Sequence, residues 1–256
     1  MSGPLDLFDV AGKVAIVTGA SGSLGSAVSR GLADAGARVM LTGRSKDTLA
    51  PLADEITASG GVADFEVGAP DGHDAVTNVV AATTKRLGPV DVLVAAAGMN
   101  KPAPIVEQTV DEWEEIVSSQ LKTAWLYCKE AGKVMIEHGG GKVILIGSQR
   151  GLLGMANYAA YSPAKAAVHL LTRTLAAEWG PSNIQVNCLA PGLFRSGLTE
   201  WMWEDDATYQ RLLGRVPHGR LGEPEDFIGP VIFLSSKASD WMTGAILNVD
   251  GGYTAA

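Results

Sequence analysis

Short apolar runs, each followed by a longer amphipathic segment, limit this chain more than any other feature. "KVAIVTG" (13–19), "RVMLTG" (38–43), "VDVLVAAAG" (90–98), "GKVILIGS" (141–148), "IQVNCLAPG" (184–192) and "AILNVDGG" (245–252) read as strands, with "GVADFEV" (61–67) as a weaker one. They are rich in Val, Ile and Leu and lack in/out alternation, the pattern of parallel strands covered on both faces. Helical patterns fill the gaps at 23–35, 45–59, 71–87, 107–137, 157–179 and 223–236. This β-α repetition predicts an α/β fold, a doubly wound parallel sheet with helices on both faces. No composition shift or linker interrupts it, so residues 1–256 read as one domain.

Composition narrows the partners. A formal net charge of -8 argues against nucleic acid or an anionic membrane. No apolar run approaches the ~20 residues of a membrane span, and the N-terminus lacks the basic and apolar regions of a signal peptide. Cys128 and Cys188 have no CxxC or Cys/His neighbour, which fits free thiols in a reducing cytoplasm and no metal. His73, His138, His169 and His218 are scattered without ligand spacing and read as surface or packing residues.

"VTGASGSLG" (17–25) ends the first strand and opens the first helix, the setting of a dinucleotide-binding turn. Gly19 allows a tight turn, Gly25 lets the helix approach the sheet, and the helix N-terminus offers free N–H groups to a pyrophosphate. The second strand ends in "TGRS" with no carboxylate before Asp47. Arg44 stands where a guanidinium grips a 2′-phosphate, which predicts NADP(H) over NAD(H). The other reading of Arg44 is a solvated cation stacking on adenine. One stretch breaks the β-α rhythm: residues 193–222 form a long insertion carrying Trp201, Trp203 and Tyr209. It starts at the carboxyl end of a strand, where ligands bind in such sheets, and reads as a substrate lid, with an oligomer contact as the alternative.

"NYAAYSPAKAAV" (157–168) holds two tyrosines. Tyr161 and Lys165 are four apart and share a helix face. A nearby ammonium, and a positively charged nicotinamide, favour the phenolate and lower a tyrosine's pKa, making a general acid/base for a carbonyl or alcohol oxygen. Tyr158 has only Ser162 at the same offset and reads as packing. Ser148, in the "GSQRG" that ends the preceding strand, is placed to hydrogen-bond the reacting oxygen, and "NCLAPG" (187–192) ends the next strand beside it. Pro163 removes one N–H and is expected to free the Ala159 carbonyl and bend the helix start.

The TGxxxxxG turn, Ser148, the Tyr161/Lys165 pair, "NCLAPG" and the terminal "VDGGY" (249–253) together resemble the short-chain dehydrogenase/reductase family, from about residue 8 to 254. The resemblance implies a seven-stranded Rossmann sheet, a nicotinamide cofactor and hydride transfer between a ketone and a secondary alcohol. It implies Tyr161 as acid/base, Lys165 on the nicotinamide ribose, Ser148 positioning substrate, and Gln120 at the family's helix asparagine. Cofactor contacts are implied for Gly19, Ser21, Ser23, Leu24, Gly25, Arg44, Ala97, Gly98, Tyr161, Lys165, Pro191 and Gly192. It also implies a homotetramer or homodimer joined through helices 107–137 and 157–179.

Four positions depart from the family's pattern. Ser23 replaces the middle glycine of the turn, with Gly22 before it. "AAAG" puts Ala95 and Ala96 where asparagines are usual, removing hydrogen bonds that brace the sheet. Gln120 replaces asparagine, and Gly68 and Ala69 fall where an acid usually touches adenine. "LFDVAGKVAIVTG" and "RVPHGRLGEPEDF" resemble members acting on sugar acids, such as gluconate 5-dehydrogenases; 3-oxoacyl-carrier-protein reductases share much of the frame. A non-catalytic cofactor-binding protein and a methyl-transfer enzyme are the competing classes. Arg150 reads as a surface ion-pair partner, with a substrate carboxylate as its alternative ligand.

Overall fold

The structure is a computed structural model describing residues 3–68, 72–197, 199–200 and 205–255. The strands are β1 (Val14–Thr18), β2 (Arg38–Gly43), β3 (Val62–Val67), β4 (Val92–Ala95), β5 (Gly141–Ile146), β6 (Ile184–Pro191) and β7 (Ile246–Val249). The helices are α1 (Ser23–Asp34), α2 (Lys46–Ala58), α3 (His73–Arg86), α4 (Val110–Val117), α5 (Thr123–Glu137), α6 (Tyr161–Trp179), α7 (Asp206–Leu213) and α8 (Ile228–Ser235). The strands form a seven-stranded sheet in the order β3-β2-β1-β4-β5-β6-β7. Every pairing is parallel.

The apolar runs lack alternation because each face of the sheet has its own core. Val14, Ile16, Met40, Val143 and Leu145 point to the side covered by α3, α5 and α6. Ala15, Val17, Val39, Leu41, Ile144 and Ile146 point to the side covered by α1, α2 and α8. Each fully buried Ile or Leu contributes on the order of 2 kcal/mol.

Strand order reverses between β1 and β4, and a crevice opens there beyond the carboxyl ends. Thr18 pairs with Ala95 and Ala95 with Leu145, so β1, β4 and β5 end nearly flush. The segments that follow all emerge along one edge.

Three expected helices differ from the structure. Segment 107–137 is continuous but starts at Val110, behind a Thr109/Glu112 capping box, and contains one π-helical turn at Ser118–Lys122. Segment 223–236 begins as a 3₁₀ turn, Pro224–Phe227, before α8. Segment 157–179 is helical only from Tyr161, because Asn157 takes a left-handed φ of 68° and Tyr158 bridges to Ala103. Pro163 is therefore the third residue of α6. The N–H groups of a first turn have no intrahelical acceptor, so its missing donor costs little and α6 runs on to Trp179.

The two ends of the insertion 193–222 are tied together. The Arg195 N–H donates to the Gly222 carbonyl at 2.9 Å, and the Gly222 N–H donates to the Leu193 carbonyl at 2.8 Å. Leu193, Leu212, Val216 and Leu221 form a small separate core with Tyr253 from the C-terminal turn. Trp201 and Trp203 lie outside the described residues.

Candidate active site

Gly19 begins the turn after β1 with φ of 63°, and a Cβ there would lie 2.8 Å from the Ala97 Cα. Only glycine combines that angle with that approach. Gly25, in the first turn of α1, lies against the Gly19 carbonyl, where any side chain would overlap backbone. Gly22 caps α1 with no side-chain hydrogen bond, so the helix's first N–H groups keep no side-chain partner. Ser21 is exposed, and Ser23 and Leu24 are half-buried at the start of α1. Arg44 is exposed just past β2, beside Gly43, whose missing side chain would point at the Ser21 hydroxyl. A cavity of about 490 Å³ runs from Ser23 to the insertion, lined by Arg195, Ser196, Glu200 and Glu223.

Ala95 and Ala96 offer no side-chain bracing at the end of β4. The Thr18 hydroxyl takes over by accepting from the Ala97 N–H at 2.9 Å, which holds Ala97 and Gly98 to the end of β1. Gln120, in the π-helical turn, lies flat against Gly98. Its Nε2 donates to the Met99 carbonyl at 2.7 Å, and its Oε1 is buried with no partner among the described residues. One extra residue per turn is what aims Gln120 at this strand end. On the far side, Pro191 ends β6, and the Gly192 N–H donates to the Val249 carbonyl at 3.0 Å. Gly68 keeps its backbone in the sheet by donating to the Gly43 carbonyl at 3.0 Å; Ala69 lies outside the described residues.

Ser148, Tyr161 and Lys165 converge at the end of β5. Ser148 is buried, its Oγ accepts the Arg150 N–H at 3.0 Å, and it stands close enough to the Tyr161 hydroxyl to draw the phenol's pKa down. Burial pushes the Tyr161 phenol up to about 12, against the opposing pull of Ser148. Lys165 is buried and pushed down to about 8, because the charged ammonium has lost its water. Its Nζ donates to the Ile146 carbonyl at 2.6 Å and lies 5.7 Å from the centroid of the Tyr161 ring. The ammonium by itself does not lower the phenol's pKa: it donates to a backbone carbonyl, and desolvation dominates. Tyr158 packs edge-on against Tyr161, with ring centroids 5.7 Å apart at 86°.

Arg150 differs from its sequence reading, and His169 takes the packing alternative of its own. Arg150 is buried, not a surface ion-pair partner, and its Nη2 donates to the Tyr253 hydroxyl at 3.2 Å. His169 is buried in the wall of the site, and its Nε2 accepts the Ser148 N–H at 3.5 Å. The signal for His169 was its spacing: Tyr161, Lys165 and His169 recur every four residues along one face of α6.

A glycine turn at the switch point of a parallel sheet, with a Ser–Tyr–Lys group across the crevice, defines a dinucleotide-dependent oxidoreductase. Known proteins agree. A family model described as enoyl-(acyl carrier protein) reductase matches residues 19–254. An uncharacterized oxidoreductase of Mycobacterium tuberculosis is 45% identical over 97% of this chain and 93% of its own length. The gluconate 5-dehydrogenase of Gluconobacter oxydans is 37% identical over 99% of each chain. A gluconate 5-dehydrogenase from Burkholderia cenocepacia, solved in complex with NADP and tartrate, is 35% identical with a TM-score of 0.96, covering 99% of this chain and 100% of that one. The chain belongs to the short-chain dehydrogenase/reductase family and is an oxidoreductase. No helix among the described residues is long and apolar enough to cross a membrane.

Proposed function

We propose that this protein interconverts a ketone and a secondary alcohol on a sugar acid, with NADP(H) as its cofactor. The observation that carries this reading is the convergence of Ser148, Tyr161 and the buried Lys165 at the strand ends that also carry the glycine turn. The gluconate 5-dehydrogenase relatives supply the substrate class.

The residues present fit a dinucleotide. Gly19 and Gly25 leave backbone where a Cβ would intrude, and the start of α1 has uncapped donors for a pyrophosphate. Ser21, Ser23 and Leu24 would border the phosphates, Ala97 and Gly98 the adjoining ribose, and Pro191 and Gly192 the nicotinamide end. Arg44 has no carboxylate partner among the described residues and would take a 2′-phosphate in its fork, with NAD(H) as the poorer cofactor. When bound, the nicotinamide supplies or accepts the hydride.

The protein's part is to bind, orient and move one proton. Ser148 donates to the carbonyl oxygen and fixes it beside Tyr161. A phenol held near 12 is protonated throughout the physiological range and is set to donate its proton as the carbonyl oxygen becomes an alcohol. Oxidation needs the phenolate, so that direction depends on positive charge beside Tyr161; Lys165 turning from Ile146 toward the ribose would provide it. Gln120 holds the Met99 carbonyl next to this group.

The insertion 193–222 serves as a substrate lid in this reading. The protein assembles as a homotetramer or homodimer through the helices of 107–137 and 157–179, where Trp113, Trp125 and Leu170 stand exposed. The buried free thiols of Cys128 and Cys188 suit the reducing cytoplasm. Assaying keto-gluconates, acetoacetyl thioesters and aryl ketones with NADPH tests the reading. The highest kcat/KM is expected for a keto-gluconate; equal or better turnover of the other two classes removes the sugar-acid assignment.

A further inference from the structure

Four charged side chains are buried in the described structure: Glu130, Lys142, Arg150 and Lys165. Glu130 pairs with Lys133 and His73, and Lys142 pairs with Asp240. Lys165 belongs to the active site. Arg150, only 7% exposed, has no carboxylate partner among the described residues. A guanidinium does not shed its proton in proteins, so burial without a counter-ion is unfavourable unless a ligand supplies one.

The surroundings of Arg150 point to such a ligand. Its hydrogen-bond partner among the described residues is the Tyr253 hydroxyl, no other guanidinium N–H donates to a described residue, and none of its nitrogens is both sealed from solvent and unpartnered. That edge therefore keeps access to open space. Arg215, from the insertion, lies 4.5 Å from the centroid of the same Tyr253 ring, and Arg150 lies 5.4 Å from it. Arg215 likewise has no carboxylate partner among the described residues. The positive charge of Arg150 draws down the pKa of both the Tyr158 and Tyr161 phenols, so it lies near the proposed acid/base.

We propose that Arg150 is the specificity residue that receives the substrate's carboxylate, oriented by Tyr253 and assisted by the charge of Arg215. Ser148, two residues earlier, holds the reacting oxygen of the same molecule, so one short segment sets both ends of a keto acid. This rests on the sugar-acid reading above. An Arg–carboxylate fork also explains why the cation is buried against the small core of the insertion: the acid completes the charge balance beneath the lid.

The test compares wild type with Arg150→Gln and Arg150→Lys. The first readout is the ratio of kcat/KM for 5-keto-gluconate to that for fructose, a neutral ketose of the same chain length. The ratio is expected to fall at least about 10-fold in Arg150→Gln and less in Arg150→Lys, the loss of a charge-assisted hydrogen bond. A merely structural role lowers both substrates together and leaves the ratio unchanged, which overturns the proposal. The second readout needs no turnover: tartrate should raise the melting temperature of the NADPH complex of wild type and not of Arg150→Gln. Equal tartrate stabilisation of both also overturns it. If wild type turns over no sugar acid, the substrate reading falls, and the tartrate readout still decides the role of Arg150. If Arg150→Gln does not fold, Arg150→Lys decides by the same two measurements.

Discussion

The Lys165 Nζ donates to the Ile146 carbonyl at 2.6 Å while standing 5.7 Å from the centre of the Tyr161 ring. In this state the lysine is anchored to the end of β5, and the tyrosine is tuned by burial and Ser148. The lysine's hydrogen bond goes to a backbone carbonyl and not to the phenol.

Removing the phenol removes the proton donor and little else. Tyr161→Phe is expected to lower kcat about 10³-fold, within the range for general acid–base groups. NADPH affinity, followed by fluorescence titration, should stay within about 3-fold. Retained turnover would reassign the acid.

Lys165 makes stability depend on alkaline pH. Its pKa is about 8 in the fold against 10.5 for the free side chain. Between those values the unfolded state binds the extra proton, so wild type gains stability as pH rises, by roughly 3 kcal/mol in total. Lys165→Met lacks this gain. Urea midpoints of the two proteins from pH 8 to 10.5 should diverge in favour of wild type; parallel curves would show that the ammonium is not buried in solution.

His169 acts at the acid end. Burial, reinforced by the charges of Lys165 and Arg173, pushes it down to about 4 from 6.5. A lowered folded-state value means that stability is complete above pH 6.5 and is lost as pH falls toward 4, by about 3 kcal/mol. His169→Gln should flatten that part of the acid-denaturation curve. It should also reduce kcat modestly, since the Ser148 N–H loses its ring acceptor.

Arg44 sets cofactor choice. Arg44→Asp should move the NADPH-to-NADH ratio of kcat/KM toward NADH by at least about 10-fold, the equivalent of one charge-assisted hydrogen bond. An unchanged ratio would leave Arg44 as a solvated cation.

Gln120 and Gly98 should be energetically coupled. A Cβ on Gly98 would overlap the Gln120 amide. Gly98→Ala is expected to cost about 1–3 kcal/mol by overpacking, and less in a Gln120→Ala background. A double-mutant cycle of unfolding free energies with no coupling would separate the two residues.

The sheet was legible because its evidence is local. Ile16 faces one core and Val17 the other, so a strand covered on both sides shows as an unbroken apolar run. The glycine turn was legible because the φ of Gly19 and its approach to Ala97 leave few alternatives to glycine. Helix starts were less so. Ala159 and Ala160 continue a helical composition, and nothing in it announces the left-handed Asn157 that delays α6 to Tyr161. The π-helical turn is likewise silent, because the apolar pattern continues across Ser118–Lys122.

Residue types and spacing alone determined the β-α order, the cofactor turn and the shared helix face of Tyr161 and Lys165, since each depends on neighbours a few positions away. Tertiary structure alone decided the electrostatic state of the site. The partner of Arg150 is Tyr253, 103 residues distant, and Lys165 turns to a carbonyl 19 residues back. Burial and orientation set whether a charge is hydrated, paired or exposed to a ligand, and both come from contacts between segments that no local pattern records.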